Sequence, residues 1–74
     1  MTKLPVVNGQ ECIRALQKAG FVIKRQTGSH VILKGGAFKS RVTVPKHRKS
    51  LKPGTLHQII KDAGLSVDEF IALL

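Results

Sequence analysis

Two glycine turns, Thr27-Gly28 and Gly35-Gly36, constrain the middle of this chain more than any other feature of the sequence. The segments on either side of them alternate apolar and polar side chains, as half-buried strands do. Alternating segments that are joined by tight turns are typical of an antiparallel sheet. The sequence therefore predicts three neighbouring strands, over residues 21–26, 29–34 and 38–44.

Alternation also divides the strand side chains between the two faces of the predicted sheet. The helices should cover the apolar face, which collects Phe21, Ile23, Val31, Leu33, Val42 and Val44. The opposite face should be open, and four cations and one histidine should lie on it. Its predicted residues are Lys24, Gln26, His30, Ile32, Lys34, Lys39, Arg41 and Thr43. A shift of one residue in register would exchange the two faces. We expect Pro45 to end the sheet, because proline cannot donate a hydrogen bond to a ladder.

A helical pattern precedes the strands. Asn8 and Glu11 have the spacing of a capping box, in which each side chain bonds the other residue's backbone N–H. Apolar residues then recur at helical spacing as far as Ala19, and Gly20 is the residue type that commonly follows a helix. We predict the first helix over residues 9–19.

A second helical pattern follows the strands. Pro53 suits the first turn of a helix, and Gly64 should follow its last residue. Ser66 and Glu69 form a further capping-box pattern ahead of a short last helix. The predicted order is an α+β fold, αβββα with a short C-terminal helix, whose helices pack on one face of the sheet. We predict a single domain over residues 1–74.

The net charge of +9 indicates a polyanionic partner, which would be a nucleic acid, an acidic protein or an anionic membrane surface. A membrane role is disfavoured, because no apolar run approaches the roughly 20 residues that a spanning helix needs. The apolar segment at the start is too short for a signal peptide. A single cysteine, Cys12, excludes an intramolecular disulfide and fits a cytoplasmic location.

A metal site is also disfavoured by the residues present. The chain has only four acids, and three of them are at positions that suit helix caps or helix surfaces. No pair of cysteines and no His-x-x-x-His spacing offers ligands for zinc. We therefore expect neither a metal nor another cofactor.

Four segments in a fixed order carry a resemblance to a known family. They are Gly-Ser-His at 28–30, Val-Pro-Lys-His at 44–47, Leu-Lys-Pro-Gly-Thr-Leu at 51–56 and Ile-Ile-Lys-Asp-Ala-Gly-Leu-Ser at 59–66. With a helix that ends in Ala-Gly-Phe, this set resembles the HicA family of toxin–antitoxin mRNA interferases. The resemblance extends from about Asn8 to Phe70. His57 departs from the commoner pattern, in which arginine or lysine is expected.

The resemblance implies a fold like that of a double-stranded-RNA-binding domain. It implies endoribonuclease activity on mRNA, which would inhibit translation, with His30 as the catalytic residue. It also implies a HicB-type antitoxin that binds the toxin and covers its active site.

RNA can be cleaved without a metal, because its own 2′-hydroxyl can attack the adjacent phosphorus. The protein must then move protons and offset the charge that grows on the phosphoryl oxygens. An imidazole suits the proton transfers because its ordinary pKa is about 6.5, and nearby cations supply the electrostatic term. We predict RNA contacts from Lys24, Arg25, Gly28, Ser29, Lys34, Lys39, Arg41, Lys46, His47, Arg48, Lys49 and Lys52.

Several of these assignments have structural alternatives. Gly28 and Ser29 could simply form a hairpin turn, and the basic segment around His47 could be a solvated loop. His30 could be an ordinary half-exposed strand histidine. Two other functions stay open for the whole chain: a non-catalytic RNA-binding module that uses the same basic surface, and a small basic protein whose main partner is acidic.

Overall fold

Three helices and one three-stranded sheet make up the fold, in a computed structural model that describes residues 3–35, 40–46 and 49–74. In chain order they are α1 (Gly9–Lys18), β1 (Phe21–Thr27), β2 (His30–Gly35), β3 (Ser40–Pro45), α2 (Pro53–Asp62) and α3 (Val67–Ala72). The sheet is antiparallel throughout, with the strand order β1-β2-β3. The αβββα order with a short C-terminal helix confirms the predicted fold class.

The element boundaries differ from the predicted ones by one or two residues. Helix α1 ends at Lys18, one residue early, and β1 and β2 each end one residue late. The first turn is Gly28-Ser29 rather than Thr27-Gly28, because Thr27 pairs with His30 and closes a two-residue loop. Strand β3 runs to Pro45, one residue beyond its predicted end at 44. Residues 36–39, which cover part of the predicted second turn and the start of the predicted third strand, lie outside the described residues.

Both predicted capping boxes are present. Asn8 accepts from the Glu11 N–H at 2.9 Å, and the Asn8 N–H donates to the Glu11 carboxylate at 3.1 Å. Ser66 and Glu69 repeat the arrangement at the start of α3, at 3.1 and 2.9 Å. Helix α2 begins at Pro53, whose fixed φ suits the first helical turn. The helix starts are therefore determined by local sequence.

The helices cover one face of the sheet and enclose an aliphatic core. Val31 pairs with Val44 and Leu33 with Val42, so that all four side chains lie on the covered face, where they are almost fully buried. Phe21 lies on the same face. The core side chains from the helices and connectors are Val7, Cys12, Ile13, Ala15, Leu16, Leu51, Leu56, Ile59, Ile60, Ala63 and Phe70. Their burial is the main favourable term in the folding of so small a chain.

A bulge in β1 changes which of its side chains reach each face. Ile23 pairs with Leu33 but Arg25 pairs with Ile32, so that Lys24 is an extra residue on β1. Beyond the bulge, Arg25 lies on the open face opposite Ile32, and Gln26 lies opposite Val31. The prediction that Gln26 belongs to the open face is therefore wrong. Ile23 lies on the predicted face but is 43% exposed.

Candidate functional site

His30 lies at one end of the open face. It is exposed, and as the first residue of β2 it pairs with Thr27 on β1 and with Pro45 on β3. The turn before it contains Gly28, whose φ of 57° is in the left-handed region that glycine adopts readily. Next to it, the Lys46 N–H donates to the Ser29 carbonyl. The imidazole is therefore held on a sheet end that is hydrogen-bonded on both sides.

The start of α1 supports this end of the sheet from the covered side. A Cβ added to Gly9 would overlap the Pro45 carbonyl oxygen and lie 2.8 Å from the Lys46 Cα, so only glycine allows this close approach. The connector after β3 then returns to the same place, where Ser50 bridges to Asn8. The described lysines of this connector are exposed cations: Lys46, Lys49 and Lys52.

A cleft lined by four cations, which we call the cation cleft, lies further along the open face. It has a volume of about 300 Å³ and is lined by Lys24, Arg25, Ile32, Lys34 and Arg41. The bulge explains the crowding, because it brings two successive residues of β1 to the same part of the face. In the described part of the chain, none of the side-chain hydrogen bonds involves these four cations. Their charge is therefore available to an anionic ligand.

The cation cleft and His30 share one face of one strand. Ile32, at the floor of the cleft, is two residues from His30, and Lys34 is four residues from it. With a rise of about 3.3 Å per residue, these separations are roughly 7 and 13 Å along β2. A polyanion that crosses the open face would therefore contact His30 and the cleft at the same time.

A second depression, which we call the β3–α2 groove, borders the same face. It has a volume of about 490 Å³ and lies between the open-face residues of β3 and one side of α2. Within it the Gln58 side-chain amide donates to the Asp62 carboxylate at 2.8 Å. Arg41 lines both depressions, so the groove and the cleft are continuous around that side chain. The groove is lined by Arg41, Thr43, Pro45, Gly54, Thr55, Gln58, Ile59 and Asp62.

Comparison with known families decides what kind of protein this is. The model of the HicA toxin of bacterial toxin–antitoxin systems matches residues 9–65. The chain belongs to the HicA toxin family. This confirms the resemblance drawn from the sequence, and it implies a toxin that has an antitoxin partner. No protein in a search of curated proteins matches the chain.

The site residues predicted for this HicA-family chain fall into three groups. One group lies on the open face with His30, namely the four cations of the cleft. A second group lies in the turn before β2 and in the connector after β3, namely Gly28, Ser29, Lys46, Lys49 and Lys52. The third group, Lys39, His47 and Arg48, lies outside the described residues. His57 is exposed on α2 and lines neither depression.

Sequence analysis missed the residues that this HicA-family toxin places in the β3–α2 groove. Thr55, Gln58 and Asp62 are spaced by three and four residues, so they form one stripe along α2. That spacing was visible in the sequence. Nothing local indicated that the stripe would face β3, because this depends on how α2 packs against the sheet.

The thiol of Cys12 is not a reactive group near neutral pH. Cys12 is fully buried, and this burial raises the pKa of its thiol to about 12, so the thiolate that acts as a nucleophile does not form near neutral pH. Among the described residues, no three His, Cys, Asp or Glu side chains are grouped so that they could hold a metal ion. No helix in the described ranges combines the length and hydropathy of a membrane-spanning segment.

Proposed function

We propose that this toxin is a metal-independent endoribonuclease that cleaves mRNA in the cytoplasm and so inhibits translation, with His30 as the catalytic residue. One observation carries the proposal: an exposed histidine lies on the same open sheet face as a cluster of cations. Membership of the toxin family supports it, because a toxin needs an activity against its own cell.

The chemistry requires two proton transfers and stabilisation of charge. A proton leaves the RNA 2′-hydroxyl as its oxygen attacks the adjacent phosphorus, and a proton reaches the departing 5′-oxygen. The imidazole of His30 can perform one of these transfers, which typically accelerates such reactions by about 10²–10⁴-fold. Lysine side chains or water near the sheet end would complete the second transfer.

The cations have two roles in the proposal. Those nearest His30 offset the negative charge that develops on the phosphoryl oxygens, which is commonly a large part of the catalytic effect. The cation cleft and the lysines of the connector after β3 bind the remaining backbone phosphates and position the RNA strand.

The scarcity of acids supports the absence of a metal: Glu11 and Glu69 cap helices, and Asp62 is bonded to Gln58.

A HicB-type antitoxin is the proposed regulator, and it would neutralise the toxin by covering His30 and the cation cleft. The charge of the toxin supports this arrangement, because an acidic surface on the antitoxin would both steer association and compete with RNA phosphates.

A non-catalytic RNA-binding module is the second candidate. It is favoured by the fact that, among the described residues, His30 is the only histidine on the open face, whereas cleavage needs two proton transfers. Such a module would use the same cations to bind RNA phosphates, and the RNA would stay intact.

The deciding experiment incubates the purified toxin with a long mRNA in excess EDTA. We expect cleavage by the native protein, and a loss of about 10²-fold or more with His30→Ala because the proton transfer is removed. Cleavage should persist in the His47→Ala variant. Circular dichroism and thermal unfolding of each variant would show whether it is folded.

Binding measured on the same variants separates the two candidates. His30→Ala should bind RNA about as well as the native protein, with an affinity that falls steeply with salt, by a log–log slope of about −0.7 for each phosphate neutralised. If the folded native protein binds the mRNA and leaves it intact, the toxin is a binding module and the catalytic assignment is wrong.

A further inference from the structure

The two depressions on the open face differ in charge. The cation cleft is lined by four cations and one isoleucine, which suits phosphate. The β3–α2 groove contains one cation, Arg41, at the border with the cleft, and also a carboxylate, that of Asp62. A carboxylate repels phosphate, so an RNA strand bound in the cleft would not place its backbone deep in this groove.

The apolar and polar residues of the groove are suited to a nucleobase. Pro45 offers apolar contact for the flat face of a base, and Thr55 and Gln58 offer hydrogen-bonding groups for its edge. Pro45 also pairs directly with His30 in the sheet. A base bound in the groove would therefore belong to a nucleotide close to the scissile bond.

The hydrogen bond between Gln58 and Asp62 determines which base edge fits. Because one Gln58 amide N–H donates to one Asp62 oxygen, the Gln58 carbonyl and the other carboxylate oxygen remain as acceptors, beside the second N–H of the same amide. Two adjacent acceptors match a base whose pairing edge carries an amino group. In single-stranded RNA this edge is free to be recognised.

We propose that the β3–α2 groove is a specificity site that binds an amino-bearing base of single-stranded RNA and disfavours uracil. Gln58 and Asp62 recognise the exocyclic amino group, and Arg41 holds the adjoining phosphate. The inference rests on the proposed function in taking RNA as the ligand, but it does not require cleavage.

The first test compares two ligands that differ mainly in this edge. Fluorescence anisotropy would measure the binding of twelve-nucleotide oligocytidylate and oligouridylate to the His30→Ala protein at neutral pH. We expect oligocytidylate to bind more tightly by on the order of 5-fold, because cytosine presents an amino group where uracil presents a carbonyl. Equal affinities would overturn the proposal.

The second test changes the acceptor edge with a nearly isosteric substitution. In Asp62→Asn, the carbonyl of the new side chain can still accept from Gln58, and its amide becomes a donor beside the Gln58 acceptor. A donor next to an acceptor matches uracil, so the preference should fall to parity or reverse. Asp68→Asn removes the same charge from α3 and is the matched control, which should keep the cytosine preference. A preference that persists in Asp62→Asn would overturn the proposal.

Mapping of cleaved ends in the native protein separates this inference from the proposed function. If RNA is cleaved, amino-bearing bases should be enriched beside the cleaved bonds, and Asp62→Asn should lose this enrichment. If RNA is bound and not cleaved, the oligonucleotide comparison still decides the assignment of the groove, and only the catalytic proposal is overturned.

Discussion

The two ladders of the sheet differ in regularity, and the difference accounts for both the burial pattern and the charge of the open face. Strands β2 and β3 form six consecutive pairs, from His30 with Pro45 to Gly35 with Ser40, without a shift. Strands β1 and β2 are interrupted at Lys24, where two residues of β1 correspond to one step of β2. The regular ladder contributes most of the buried strand side chains, and the bulged strand contributes two of the four cations in the cation cleft.

The comparison shows how much one inserted residue can alter. In a regular strand, alternation assigns each side chain to a face, as it does for Val42 and Val44. After the bulge the assignment reverses, so Arg25 reaches the open face beside Lys24. A uniform β1 would place only one of these two cations there. The cation cleft is therefore a consequence of the irregular ladder.

The largest expected effect is on stability, and it separates two variants that each truncate one member of the same cross-strand pair. Leu33→Ala removes a fully buried side chain from the regular ladder and should lower the free energy of unfolding by about 2–5 kcal/mol. Ile23→Ala truncates its partner on the bulged edge strand, which is 43% exposed, and should cost about 1 kcal/mol or less.

Urea unfolding followed by circular dichroism would measure both variants against the native protein. A domain of this size has a small margin of stability, so Leu33→Ala should be partly unfolded without denaturant. Equal costs for the two variants would mean that the edge strand is buried in solution, and the contrast between the ladders would then be wrong.

Most of the fold could be predicted from the sequence because it depends on local signals. The capping boxes of Asn8 and Ser66 and the turn at Gly28 each act over a few residues. The bulge could not be predicted, because Lys24, Arg25 and Gln26 are all polar and show no alternation that an insertion would disturb. His30, Lys34 and Arg41 were placed correctly because their ladder is regular, whereas Lys39 lies outside the described residues.

A smaller effect is expected at the end of the regular ladder, where α1 contacts it. Gly9→Ala would place a methyl group against the Pro45 carbonyl, and the backbone must move to accommodate it. We expect a loss of about 1–3 kcal/mol, which is typical of overpacking. Since Pro45 pairs with His30, we also expect slower RNA cleavage in the folded fraction, measured at a temperature where the variant is fully folded.

Gly54→Ala is the matched control for stability, because a Cβ at that position meets nothing within 4 Å beyond its own neighbours in the helix. Its stability should be native or slightly higher, because alanine is a better helix former than glycine. If Gly9→Ala loses stability but cleaves RNA normally, the contact of α1 with Pro45 stabilises the fold without positioning His30.

The smallest expected effect on stability tests the bulge itself. Deleting Lys24 would make the Ile23–Leu33 and Arg25–Ile32 pairs consecutive, so β1 would become regular and Arg25 would keep its place on the open face. We expect the free energy of unfolding to change by about 1 kcal/mol or less, since no core side chain moves to the other face.

Lys24→Gln removes the same charge and keeps the bulge. Each variant should reduce the log–log salt slope of RNA binding by about 0.7, the value for one phosphate contact. Equal affinities for the two variants would mean that the bulge matters through the cation it adds. Weaker binding by the deletion alone would mean that the curvature of the bulged strand also shapes the cation cleft.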